Sequence, residues 1–184
     1  MTRVADRRLQ RPDSQEGDAM TTIERPLRPR DLLTCPARAR LATAVVPAVS
    51  VAVRWLGGRL LLVRQCADGL WDLPGACVRV GETAVNAAVR STTQQAGVQV
   101  LVTGIAGLFT DPRQLVRAPE GEMRQQFTVL LHARAVGGAP HGDLRETSEA
   151  DWIAVADIAA LAIEPSARVR VAAALAVGDP PHLD

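Results

Sequence analysis

The stretch Gly69-Leu70-Trp71-Asp72-Leu73-Pro74-Gly75-Ala76, followed by Gly81-Glu82-Thr83 and the unbroken run Ala84 to Ala96, decides how this chain is read. Pro74 and Gly75 stop regular structure, whereas the run from Thr83 to Ala96 holds neither proline nor glycine and is rich in alanine. That run predicts a helix, with Thr83 as a side-chain N-cap and Gly97 as a left-handed stop.

Upstream, Val45 to Trp55 and Arg59 to Arg64 are rich in Val, Leu and Ala and are separated by Gly57-Gly58, a two-residue hairpin signal for antiparallel strands. Downstream, Val98 to Phe109 and Gln125 to Ala135 read as strands on either side of a polar loop, Thr110 to Arg124. A further strand centres on Trp152-Ile153, and a last helix runs from Pro165 to Val177, ended by Gly178 and Pro180-Pro181. Strands before, between and after two helices predict an α/β fold with a mixed β-sheet covered on both faces.

The chain has 184 residues, suited to one domain. Residues 1–29 are polar, interrupted by proline and without periodicity, so they read as a flexible N-terminal tail in which Met20 is an alternative start. Residues 30–178 form the domain, opened by a short helix over Arg30 to Leu41, and 179–184 form a C-terminal tail. All 21 basic residues are arginine and face 20 acids, a balance that gives no electrostatic case for nucleic acid or an anionic membrane. The first 40 residues carry nine arginines and six acids, an excess that a solvated tail accounts for. Lysine and tyrosine are absent and Asn86 is the one asparagine, which reads as codon bias. Cys35, Cys66 and Cys77 lack zinc or disulfide-framework spacing, and no apolar run is long enough for a signal core or a membrane span. The expected location is the cytoplasm.

The order Pro-Gly, Gly-Glu, then a capped helix with an arginine resembles the Nudix family. Its box runs Gly, five residues, Glu, seven residues, then Arg-Glu-U-x-Glu-Glu-x-Gly-U, where U is aliphatic. On this chain the first glycine falls on Ala76, the glutamate on Glu82 and the arginine on Arg90, with Gly97 and Val98 closing the box in register. Leu60 to Arg64, the Gly-Leu-Trp-x-Leu-Pro-Gly run and the strand bearing Trp152 agree, so the resemblance covers Val45 to Val177. It implies a Nudix-like α/β/α sandwich, a nucleotide-like small-molecule ligand, and Mg²⁺ or Mn²⁺ as cofactor. Catalytic roles carry over to Glu82 and Arg90, and metal-ligand positions to Ala76, Ser91, Gln94 and Gln95. Arg64 matches a substrate-binding position near the site.

The departures are concentrated where the metal would lie. Arg-Glu-U-x-Glu-Glu reads here Arg90-Ser91-Thr92-Thr93-Gln94-Gln95, so three carboxylates are replaced by neutral groups. Positions 91, 94 and 95 share one helical face. Hard divalent cations want anionic oxygens there, and losing their Lewis-acid term slows such a reaction roughly a thousandfold or more. Some members place a general base on a later loop. Glu120, Glu122, Glu146 and Glu149 are therefore candidates, with Glu122 preferred. Replacing glutamate by glutamine conserves shape and helix propensity, so folding need not suffer. Thr92 at an aliphatic position costs about 1 kcal/mol at most from propensity. Ala76 in place of glycine is expected to be backbone-strained.

Trp71 and Trp152 read as packing residues and the three histidines lack ligand spacing. No Walker loop, nucleophile elbow or dinucleotide fingerprint is present. Two readings remain: a pyrophosphohydrolase of nucleoside diphosphate derivatives whose metal-dependent hydrolysis is weak or lost, and a catalytically silent Nudix domain that binds a nucleotide-like ligand or a protein partner. A homodimer is compatible with either.

Overall fold

The computed structural model describes residues 33–34, 42–118, 121–176 and 180–184. Strands β1 (Leu33–Thr34), β2 (Ala42–Trp55), β3 (Arg59–Gln65), β4 (Trp71–Asp72) and β5 (Gly75–Cys77) precede helix α1 (Ala84–Ala96). Strands β6 (Val98–Phe109), β7 (Gln114–Arg117), β8 (Met123–Gly138) and β9 (Thr147–Ala154) lead through a 3-10 turn at Val155–Ala160 to helix α2 (Pro165–Leu175) and strand β10 (His182–Leu183).

The sheet is mixed, as the sequence predicts. Strand β8 runs parallel to β2 from Ala42↔Met123 to Arg54↔Arg134. Its other edge is shared by β7 at one end and β6 at the other, both antiparallel. Strand β2 leaves β3 after the hairpin and takes up β5 at Ala48 to Ser50, while β3 continues against β9 and β4. This divergence opens the sheet where Pro74-Gly75 crosses, and the cavity described below lies there.

Both sheet faces are buried, which is why β2 and β3 read as near-continuous apolar runs. Val49, Val51, Val53, Leu61 and Val63 pack with Ala87, Ala88 and Ala96 of α1. The intervening residues Ala52, Leu60 and Leu62 pack with Ala167, Val171 and Ala174 of α2. Small alanines on both helices let them approach the sheet closely. Trp71 joins the α2-side core and Trp152 stacks on Trp55 at 5.2 Å, so both tryptophans pack as expected.

Helix α1 begins and ends where its sequence signals place it. Thr83 accepts from the Asn86 backbone N–H at 3.1 Å, and Gly97 takes φ 67° while donating to the Thr93 carbonyl. Other details differ. The β2–β3 hairpin has a three-residue loop, with Leu56 before Gly57 and Gly58, because pairing stops at Trp55↔Arg59. The supposed loop Thr110 to Arg124 contains β7, whose two apolar residues Leu115 and Val116 are buried although polar neighbours hide them in the sequence. Of the helix expected over Arg30 to Leu41, Leu33–Thr34 instead pairs as a strand with β7; the rest, like the tail at 1–29, lies outside the described residues. At the other end, His182 and Leu183 pair with β6 in parallel and His182 stacks on Phe109, because Gly107 leaves room for the chain to approach. No helix among the described residues is long and apolar enough to cross a membrane.

Thr83→Ala should cost about 1 kcal/mol in urea unfolding, the usual value of a lost N-cap. Gly97→Ala should cost more, about 2 kcal/mol, because a Cβ there is held in the left-handed region and collides with His141 and the Ala139 carbonyl.

Candidate functional site

A polar cavity of about 80 Å³ lies between α1, β5 and the diverging strands. Ala76, Arg90, Ser91, Gln94 and Gln95 all line it, so the structure brings together five of the positions that the box singles out. Glu82, Glu122 and Arg64 are not in its lining.

Gln95 organises the cavity wall. Its Oε1 accepts from the Gly75 N–H at 3.0 Å, and its Nε2 donates to the Gly75 carbonyl at 2.8 Å and to Glu146 Oε2 at 3.0 Å. The amide therefore pairs both polar groups of one peptide residue and a carboxylate. Its orientation is fixed, since the reverse would set Oε1 against two acceptors. Gly75 must be glycine for this contact, because a Cβ would collide with the Val49 carbonyl. Ala76 sits in strand β5 and the single non-glycine residue with positive φ among those described is Leu144, so the strain expected at Ala76 is absent.

The other two helix positions are also committed. Ser91 is buried and its hydroxyl donates back to the Ala88 carbonyl at 3.2 Å. Gln94 is exposed and its Oε1 accepts from Arg90 Nη1 at 3.5 Å. Together these residues offer a divalent cation no anionic oxygen, and the two carboxylates of the lining, Glu146 and Asp72, accept from Gln95 and Arg170. No group of three or more Asp, Glu, His or Cys is arranged to hold a metal among the described residues. The donor set does not fit Mg²⁺ or Mn²⁺.

Glu82 and Arg90 form a bidentate pair beside the cavity, at 2.7 and 2.8 Å, and Glu82 also accepts from the Arg79 N–H at 3.0 Å. Arg90 Nη2 reaches on to the Cys77 carbonyl at 3.2 Å. The pair ties the turn before α1 to the strand before it and leaves neither group free. Hydrogen bonds from Arg90 hold the Glu82 carboxyl at about 2, well below its ordinary value of 4.5.

Among the loop carboxylates, Glu146 reaches the site and Glu122 does not. Glu122 follows the Ala118–Gly121 turn, is 54% exposed and pairs with Arg124 at 3.7 Å, because the β7–β8 hairpin carries it away from α1. Glu149 pairs with Arg64 at 3.8 Å, and Arg64 Nε donates to the Gly69 carbonyl, so that arginine braces a turn. Glu120 lies outside the described residues. What aims Glu146 is Asp143, whose Oδ1 accepts the N–H groups of Arg145, Glu146 and Thr147 at 2.8–2.9 Å. Burial works to raise the Asp143 pKa, but these bonds outweigh it and leave it lowered. Thr147 is fully buried and its hydroxyl donates to the Gln95 carbonyl at 2.6 Å, fastening the loop to the helix end. The spacing Asp143-x-x-x-Thr147 is the local-turn signal that sequence reasoning passed over.

The cavity floor was not anticipated either. Arg170 of α2 is buried and donates to both oxygens of Asp72 at 3.2 and 3.3 Å, and to Ser166 at 3.1 Å. Burial raises the Asp72 pKa, opposed by the Arg170 charge. Its signal was an arginine on the apolar stripe Ala167, Val171, Ala174, where only a buried partner makes it tolerable.

Comparison with known proteins places this geometry. Residues 45–174 match the family model described as NUDIX domain. A Bacillus subtilis (strain 168) protein named "Putative 8-oxo-dGTP diphosphatase" is 30% identical over 95 residues, which span 52% of this chain and 57% of that relative. A solved ADP-ribose pyrophosphatase from Streptococcus suis 89-1591 superposes with a TM-score of 0.58 at 18% identity, covering 76% of this chain and 98% of that one. A NUDIX hydrolase from Nitrosomonas europaea gives 0.60 at 17% identity, covering 76% and 78%. The two structures share the fold.

Because Glu82 titrates at about 2 in the folded chain, its pairing stabilises in full above pH 4.5 and ceases to do so as pH falls through 2. Glu82→Gln should lose about 1–2 kcal/mol at pH 7, a figure discounted for solvent screening, and the deficit should vanish by pH 2. Urea titrations of both proteins between pH 2 and 7 measure this; a deficit that persists unchanged at pH 2 contradicts the ion-pair account.

Proposed function

Since the chain belongs to the Nudix family, we propose that it binds a nucleotide-type small molecule in the cavity beside α1, and that divalent-metal-dependent pyrophosphate hydrolysis is weak or lost. The carrying observation is the Gln95 amide, whose Nε2 donates to Glu146 and Gly75. A positively polarised N–H group thus lies against the Gly75 carbonyl and the Glu146 carboxylate, at the helix position where the family's box carries an anionic oxygen. Ser91 and Gln94 supply neutral oxygens on the same face. The names of the relatives, an 8-oxo-dGTP diphosphatase and an ADP-ribose pyrophosphatase, support the nucleotide class of ligand.

The chemistry of the hydrolytic reaction explains why these replacements matter. A metal ion neutralises the diphosphate and activates water, and several kcal/mol of transition-state stabilisation depend on it. Glu146 alone can accept a proton from water but cannot replace that charge, because it is itself anionic.

With Mg²⁺ and either 8-oxo-dGTP or ADP-ribose, turnover should lie below about 0.01 s⁻¹, roughly a thousandfold under a typical enzyme. Turnover near 1 s⁻¹ that is lost in Glu146→Gln would overturn this reading. The triple variant Ser91→Glu, Gln94→Glu, Gln95→Glu should melt several degrees lower than the parent without metal and regain that loss in millimolar Mn²⁺, because two adjoining carboxylates need a cation between them. The parent's melting temperature should not respond to Mn²⁺.

A further inference from the structure

Strand β6 is 12 residues long and holds neither a charged residue nor a proline. Strand β8 pairs with one of its sides, and on the other side β10 covers only Gly107 and Leu108. Among the described residues, no other strand or loop hydrogen-bonds to the backbone of Gln99 to Ala106. Leu101 and Ile105 are 49% and 52% exposed, and Thr103 and Gly104 between them are exposed as well. The side of β6 that faces away from β8 therefore stands open over most of its length.

The other long edge of the sheet is built differently. Strand β9 pairs with β3 alone, and it carries the exposed carboxylates of Glu149 and Asp151. An open edge presents unpaired N–H and C=O groups to any passing strand, and charges along it keep such a strand away. Strand β6 lacks that guard. Its one protective feature is a set of register shifts against β8, at Gln99/Val100, Val102/Gly104 and Ile105/Gly107. These bulges divide the edge into short runs, so a strand added to it forms a short ladder.

We propose that the open edge of β6 pairs with the same edge of a second copy of this chain, antiparallel about a two-fold axis that passes within Gln99 to Ile105. Charge selects a copy as the occupant. Near a two-fold axis each residue lies beside its own counterpart, so a charged residue on the edge would meet its like at a cost. This edge has none, and the nearest charge in register, Arg134 opposite Leu101, belongs to β8, one strand behind. A strongly acidic or basic partner would find no complementary charge on the edge itself. Pairing removes the half-exposed Leu101 and Ile105 from water. Because the charged β9 edge accepts no strand, each chain offers one such edge and the assembly closes at two copies. A short ladder with few apolar side chains is a small interface, which implies a Kd on the order of 10–100 µM. This inference is independent of what the cavity binds.

Sedimentation equilibrium of the full chain from about 5 to about 500 µM tests it: the average mass should rise from 19.6 kDa towards twice that value. Over the same range, those amides of Leu101 to Ile105 that face away from β8 should exchange hydrogen at least about tenfold more slowly, while the amides of Glu149 to Asp151 should not change. Leu101→Lys and Leu101→Glu alter a half-exposed side chain, so the melting temperature should hold. Each variant alone should associate at least about tenfold more weakly, and an equimolar mixture of the two should recover association. A mass that stays at one chain to the highest concentration, or association that both Leu101 variants leave intact, overturns the proposal. So does a mixture that fails to associate, and so does association lost in Leu56→Lys at the β2–β3 hairpin but kept in Leu101→Lys, which would put the contact on another surface.

Discussion

The contact on which the site depends is the pairing of the Gln95 amide with both polar groups of Gly75. It joins the last turn of α1 to strand β5, at the place where β2 and β3 part company. The backbone of one residue exposes one donor and one acceptor, and a side-chain amide matches both at once. A glutamate in the same position could accept from Gly75 N–H but would set an anionic oxygen against the Gly75 carbonyl and the Glu146 carboxylate. The neutral residue is therefore the stabilising choice for a fold that closes this wall with its own atoms.

Around that pair the remaining parts are held by independent devices. Asp143 gathers three consecutive N–H groups and so fixes the loop that presents Glu146, while Thr147 fastens the same loop to the helix end. Glu82 and Arg90 brace the turn before α1 from the other side. Each is a short-range arrangement of charge or hydrogen bonds on a scaffold whose two cores are built from alanine-faced helices and fully buried strands. The position of each group around the cavity thus follows from where a strand ends, and its orientation from a nearby polar partner.

Much of this was legible from residue types at short separation. The limits of α1 follow from Thr83 and Gly97, the β2–β3 hairpin from Gly57 and Gly58, and the neutralised face of α1 from Ser91, Gln94 and Gln95. Strand β7 was hidden because a four-residue strand with two apolar residues carries too little periodicity to separate it from a polar loop. The choice between Glu122 and Glu146 was hidden for another reason. Which loop carboxylate meets α1 is decided by pairing of β3 with β9 across more than eighty residues, and no local pattern encodes it. Arg170 and Asp72 are separated by still more of the chain, and their meeting follows from α2 packing beneath β4.

The same geometry changes how folding and ligand binding are linked. In a wall of carboxylates, the repulsion between neighbouring anions is relieved by a bound cation, so stability rises with metal concentration as RT ln(1 + [L]/Kd). Here the relief is internal. The Nε2 group of Gln95 is a permanent donor with partial positive charge, attached to the helix and satisfied by two oxygens at 2.8 and 3.0 Å. It does not dissociate, so the closed wall persists whatever the metal concentration. The cost is chemical: an N–H group orients Glu146 but supplies neither the full charge nor the open coordination positions that a cation brings to a diphosphate. A wall stabilised in this way keeps its shape through its own hydrogen bonds, with no bound cation needed to hold it.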